Sequence, residues 1–285
     1  MSTLPVVLTF GLADATGATG LPADQIACAS MGCHTASVVT AVAAASAGGD
    51  SEWLPIDAEW VESQAKAVLQ NMAVAAFKIG ALASAEQVQP VAEILADCDD
   101  IPVVLDAVLD RSDAEEWEGD EIIEAIRELV LPQTTVAVMS LAQVRRFVAV
   151  ADDDEQADAY SAADCARRLI DWGAEFVLIS DSDAGSGFIV NGLYDDDGLM
   201  RTDSLPRISD PNGGQFRGAG DTLSAALAGL LAQGIDVPDA VQEAGQYTTA
   251  ALMHAFGAGL GFSIPDRLFW AGEDEGEDEA IPDAS

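Results

Sequence analysis

"GDEIIEAIRELVLPQTTVAVMS" spans residues 119–140 and changes its period part-way. Residues 119–132 place apolar side chains at helical spacing. Residues 134–140 form a short β-branched run with no polar alternation. Helical spacing predicts an amphipathic helix, and an unalternated run predicts a strand buried on both faces. The same couplet repeats on either side. Strands are expected at 4–11, 37–45, 75–82, 101–109 and 175–181, with helices at 23–35, 57–72, 84–98 and 161–173. Asp57, Ser84 and Ser161 stand where side chains can cap three of those helices. Strands separated by helices predict an α/β fold with a mostly parallel central sheet and helices on both faces.

Two segments depart from this rhythm. "GFIVNGLYDDDGLMRTDSLPRI" (187–208) reads as a small antiparallel hairpin turning at "DDDG". Residues 222–257 are helical with little charge, as expected of a deeply buried helix pair. No repeat or linker interrupts the pattern, so residues 1–270 are read as one domain. "EDEGEDEA" (273–280) marks 271–285 as a solvated, disordered acidic tail.

Composition excludes several functions. The chain has 285 residues, 49 acids against 12 bases, and a net charge of −37. Nucleic acids and anionic membranes repel such a surface. Lysine is confined to Lys66 and Lys78. Carboxylates scattered over many loops, with so little lysine, suit a protein kept hydrated in concentrated salt. Cys28, Cys33, Cys98 and Cys165 have no paired CxxC spacing and read as free thiols. The N-terminus "MSTLPVVLTFG" lacks a basic signal region, so a soluble, cytoplasmic protein is expected. His34 and His254 read as structural or surface residues.

"FRGAGDTLSAALAGLLAQG" (216–234) carries the chemistry. Gly218, Ala219 and Gly220 precede an apolar helix. A helix start offers unpaired N–H groups and a positive dipole end to an anion, and small side chains let phosphate approach. Neither a Walker loop nor a dinucleotide fingerprint is present. Asp221 can act as a general base toward an alcohol attacking a phosphoryl group, or can simply cap the helix. Four residues alone do not separate these readings.

The wider sequence resembles the ribokinase-like vitamin kinases, specifically the hydroxymethylpyrimidine/phosphomethylpyrimidine kinases. "LTFGLADATGATGLPADQIACASMGCHTASVVTAV" (8–42) looks like that family's opening. "FKIGAL" (77–82) and "VVLDAVL" (103–109) resemble its next core strands. "LLAQGIDVPDAVQEAGQYTTAAL" (230–252) and "GLGFSIPDRLFW" (259–270) resemble its C-terminal part. The resemblance implies a three-layer α/β/α fold and ATP- and Mg²⁺-dependent phosphorylation of a pyrimidine hydroxymethyl group, then of its monophosphate. It implies Gly218, Ala219 and Gly220 as the anion hole and Asp221 as the catalytic base. It places Asp14 and Asp24 near the substrate, Thr222 and Ser180 near the nucleotide, and a small molecule and a second subunit as partners.

The same resemblance exposes departures. Ser140 and Gln143 stand where the family carries Asn and the Glu that organises Mg²⁺. "SDSD" (180–183) replaces the loop beneath the nucleotide phosphates, and Asp181 and Asp183 there would repel ATP. Ala45 replaces a base-reading Gln, and "GATG" replaces the substrate-loop Gly-Gly-Ala-Gly. Asp at 221, where these kinases usually have Cys, is shared with pyridoxal and sugar kinases. A pyridoxal-type kinase and a kinase-fold binding protein that has lost turnover are therefore alternative readings.

Overall fold

The computed structural model describes residues 4–45, 51–107, 119–152, 159–180, 187–209, 215–257 and 261–272. The chain runs β1 (Val6–Asp14), α1 (Gly20–Ser30), β2 (His34–Ala45), β3 (Ser51–Pro55), α2 (Ala58–Leu69), β4 (Val74–Ile79), α3 (Val88–Ala96), β5 (Val103–Asp106) and α4 (Gly119–Ala125). It continues through β6 (Val136–Ser140), α5 (Leu141–Asp152), α6 (Ala162–Asp171), β7 (Phe176–Ser180), β8 (Phe188–Asp195), β9 (Gly198–Pro206) and β10 (Gln215–Phe216). It ends with α7 (Ala219–Ala232), α8 (Val237–Met253), β11 (Phe256–Gly257) and β12 (Phe262–Ile264).

Nine strands form one sheet in the order β3-β2-β1-β4-β5-β6-β7-β8-β9. The six from β2 to β7 are parallel, and β3, β8 and β9 add antiparallel edges. Successive side chains along a strand leave opposite faces. Leu8, Phe10, Phe77, Ile79 and Leu105 therefore pack with the layer that holds Val61, Val91 and Phe147. Val7, Val104, Val136 and Leu178 pack against Ala27, Leu227 and Ala244 of α1, α7 and α8. Burial on both faces accounts for the missing alternation in the sequence. It gives the three-layer, mostly parallel fold with a small hairpin, as expected.

β1 lies between β2, which follows it through α1, and β4, from which the chain moves the other way. Strand order thus reverses between β1 and β4. In open α/β sheets, ligand crevices form beyond the carboxyl ends of strands at such a switch point.

Several local expectations need correction. The helix expected at 23–35 stops at Ser30, because Gly32 takes a left-handed φ of 73° and the chain turns into β2. His34 accordingly begins a strand and is not at a helix end. The helix expected at 119–132 is α-helical only to Ala125. It widens to a π-helical stretch (Ile126–Val130) and tightens to a 3₁₀ turn around Pro132. Of the three proposed caps, Ser161 forms a reciprocal box with Asp164, whereas Asp57 and Ser84 make no side-chain cap bond. At Ser84 the first turn is 3₁₀, and its own carbonyl takes the Gln87 N–H. Residues 222–257 are two helices and a strand start, and α7 is buried almost all round while α8 keeps an exposed face. Asp181, Asp183 and the tail from 273 onward lie outside the described residues.

Candidate active site

The carboxyl ends of β1, β4 and β5 meet the start of α7. Asp14 closes β1, Lys78 is the penultimate residue of β4, and Asp106 closes β5. Registration of β4 between β1 and β5 places Lys78 beside Thr9 and Val104. Apolar packing on both sides buries the Lys78 ammonium, and three carboxylates compensate it. Nζ lies 2.9 Å from Asp24, 3.5 Å from Asp221 and 3.6 Å from Asp106. Burial alone would disfavour the ammonium, but Asp24, Asp221 and Asp106 outweigh it and hold its pKa above the usual lysine range.

One cation cannot neutralise three clustered carboxylates, two of them buried. Burial pushes the Asp24 carboxyl up to about 7, against the pull of Lys78 and aided by Asp221 and Asp106. Asp24 Oδ2 is buried and has no hydrogen-bond partner among the described residues. Asp106 is also raised, by burial and then by Asp221, although Lys78 and a 2.7 Å bond from Ser224 Oγ oppose this. Asp221 opens most to solvent: its side chain is 14% exposed, against 9% for Asp106 and 0% for Asp24.

The loop before α7 forms a cradle. Gly218 has φ 84°, a left-handed conformation costly for any residue with a Cβ. A Cβ there would also overlap the Ala18 carbonyl and the Arg267 guanidinium. Gly220 is exposed, and a Cβ on it would meet only open space. The first N–H groups of α7 thus face a clear approach, where a helix offers its positive end.

Facing the cradle is the loop at 14–19. Asp14 accepts four hydrogen bonds, from the N–H and hydroxyl of both Thr16 and Thr19. Burial would raise its pKa, but these donors outweigh burial and hold it below the ordinary aspartate value. Arg267, from the C-terminal segment, reaches beneath both loops. Its Nη2 donates to the carbonyls of Ala18 (2.8 Å) and Gly218 (3.1 Å), and its Nε to Thr222 Oγ1 (2.8 Å).

The structure brings Asp14, Asp24, Gly218, Ala219, Gly220, Asp221 and Thr222 together and gives some of them other work than expected. Asp24 lies under the cradle and out of solvent, so it supports the site and does not line its mouth. The Thr222 hydroxyl is fully buried, donates to Gly218 O and accepts from Arg267. Ser180 lies with Ala219 and Gly220 on an apolar pocket beside the cradle, walled by Ile189, Leu223 and Leu252. Gln143 has a local partner in Ser140. Its Oε1 accepts the Ser140 N–H and its own N–H reaches Ser140 Oγ, a reciprocal cap at the start of α5. Lys78, Asp106, Ser224 and Arg267 did not stand out in the sequence. A lone lysine inside an apolar strand was the available signal for the first.

The family model described as phosphomethylpyrimidine kinase matches residues 14–265. The chain belongs to that family. It is 34% identical over 275 residues to the hydroxymethylpyrimidine/phosphomethylpyrimidine kinase of Streptomyces coelicolor, covering 95% of this chain and 97% of that protein. A thiamine biosynthesis bifunctional protein of Geobacter sulfurreducens is 30% identical over 265 residues, which is 93% of this chain and 52% of that protein. Among solved structures, an ADP complex of Bacillus subtilis pyridoxal kinase superposes with a TM-score of 0.80 at 23% identity, covering 93% and 99% of the two chains. That likeness concerns the fold. Membership places this chain among small-molecule kinases. Among the described residues, no helix is long and apolar enough to cross a membrane.

Proposed function

We propose that this chain transfers the γ-phosphoryl group of ATP to hydroxymethylpyrimidine and to its monophosphate, in thiamine biosynthesis. The observation that carries the reading is Asp221. It is the most open of three carboxylates around a buried ammonium, and it sits in the first turn of a helix with a clear, small-residue N-terminus. The nucleotide phosphates lie over the N–H groups of Ala219 and Gly220, and the pocket beside Ser180 takes the base. With the alcohol as acceptor, Asp221 takes the hydroxyl proton as the hydroxyl oxygen forms the new P–O bond, the bond from the γ-phosphorus to the bridging oxygen breaks and ADP leaves; with the monophosphate, an ionised phosphate oxygen attacks and needs no base. The helix end and the cradle stabilise charge on the transferring group.

Mg²⁺ suits this donor set only as a companion of the nucleotide. Among the described residues no three His, Cys, Asp or Glu side chains form a metal site. Mg²⁺ commonly uses one or two carboxylates plus substrate phosphates. Asp106 is the residue that would hold it, and the ion would neutralise charge on the phosphates. Gln143 is not assigned this role, because its Oε1 already accepts the Ser140 N–H at the start of α5.

ADP release with Mg·ATP and a panel of hydroxymethylpyrimidine, its monophosphate and pyridoxal tests the reading at low and high KCl. Pyrimidine-dependent turnover is expected, reduced with the alcohol as acceptor about 10²–10⁴-fold by Asp221→Asn, the range for loss of a general base. Turnover with pyridoxal alone would move the chain to the alternative acceptor. A folded protein with no turnover on any acceptor would support a binding role instead.

A further inference from the structure

The guanidinium of Arg267 is buried and donates to three acceptors. Two are main-chain carbonyls from opposite sides of the site: Ala18 in the 14–19 loop and Gly218 in the cradle. The third is Thr222 Oγ1 in the first turn of α7. Arg267 is itself held. Its own carbonyl accepts from Ser30 Oγ at 2.6 Å and Tyr247 OH at 2.7 Å, and the preceding N–H, of Asp266, donates to Ala251 O at 2.9 Å. A second observation agrees. Gly218 approaches Ala18 so closely that a Cβ would overlap its carbonyl. The 14–19 loop is meanwhile closed on itself around Asp14.

We propose that Arg267 is a positioning residue that sets the distance between the acceptor-side loop, residues 14–19, and the phosphoryl cradle, residues 218–221. The proposal rests on the kinase reading for what the two loops hold, but the linkage itself rests on geometry alone. Arg267 is buried, and its side chain acts through two carbonyls and the Thr222 hydroxyl. A planar fork can serve two carbonyls and a hydroxyl together, whereas a lysine ammonium is a compact point charge on a flexible stem. Phosphoryl transfer needs the attacking oxygen and phosphorus near 3–3.5 Å apart, and a shift of about 1 Å can cost about 100-fold in rate. Loosening the fork should therefore lower kcat more than it weakens nucleotide binding.

The test uses the full chain with Arg267→Gln and Arg267→Lys. Amide hydrogen exchange, read without ligands, is expected to rise about tenfold or more in the peptides covering 14–20 and 217–222 together, as loss of charge-assisted hydrogen bonds predicts. Peptides in β4 and β5 should not change. In turnover, kcat should fall about 100-fold in the Gln variant and less in the Lys variant, with KM for ATP raised by no more than about tenfold. Faster exchange in the cradle alone, or an unchanged kcat, would overturn the proposal. If Arg267→Gln does not fold, Arg267→Lys and Thr222→Val carry the same readouts. Thr222→Val removes the Nε acceptor and should loosen both loops by a smaller factor; no change in either loop counts against the linkage. An inactive wild type would overturn the kinase reading alone, and the exchange data would still decide whether the loops are tied.

Discussion

Lys78 and its three aspartates set the electrostatics of the site at the scale of single residues. Asp24 is held at about 7, chiefly by burial, against an ordinary 3.8. A carboxyl with a raised pKa binds more protons folded than unfolded between those values. Its contribution to stability is thus full below about pH 4 and falls as pH rises toward 7. Asp24→Asn keeps the shape and removes the titration. The wild-type unfolding free energy should fall relative to Asp24→Asn between pH 4 and 7, by on the order of 4 kcal/mol at most. Denaturant titrations of both proteins across that range check this, and parallel pH profiles would remove Asp24 from the account. Asp221 was legible in the sequence because it follows small residues at a helix start. Lys78 and Asp106 were not singled out, since each sits in an apolar strand and only the register of β4 between β1 and β5 brings them together. Arg267 was hidden for a different reason: two of its three partners are backbone carbonyls, which carry no sequence signature.

Among the elements, α5 is the instructive case. It starts directly after Ser140 with no intervening loop, so its helical pattern was overshadowed by the strand before it. "SLAQ" (140–143) nevertheless has the Ser-x-x-Gln form of a reciprocal cap, and the structure forms it. Gln143→Ala should therefore cost about 1 kcal/mol of stability, the usual size of a lost helix cap. It should leave the Mg²⁺ dependence of turnover unaltered. Chemical denaturation and a metal titration on the same variant measure both effects, and a raised Mg²⁺ requirement would return Gln143 to the site. By contrast, α7 was plain from the outset. Its apolar residues surround the whole helix, and burial from Thr222 to Leu231 follows from being sandwiched between α1, α8 and the sheet. β3 was missed, because five residues at an antiparallel edge give too short an alternation to read.

For the whole molecule, the governing quantity is the net charge of −37. The fold was legible because β-branched runs covered on both faces leave few alternatives, and that pattern does not depend on charge. Stability does. Repulsion among surface carboxylates acts across about 10 Å at 0.1 M salt and about 3 Å at 1 M. The thermal midpoint should climb by about 10 °C between 0.1 and 2 M KCl as this repulsion is screened. Differential scanning calorimetry across that range provides the check, and a midpoint that stays flat or falls would separate the acidic composition from salt tolerance. The Arg267 fork bears on the timing of synthesis. Ala18 and Arg267 are 249 residues apart in the chain. At roughly 5–20 residues per second, the ribosome reaches Arg267 on the order of 12–50 s after Ala18. The sheet can begin to assemble in that interval, and Lys78 can gather its aspartates, before the 14–19 loop and the cradle are tied together. A chain that has not yet reached Arg267 already holds most of the core-forming strands and helices, but its 14–19 loop and cradle lack the guanidinium that ties them.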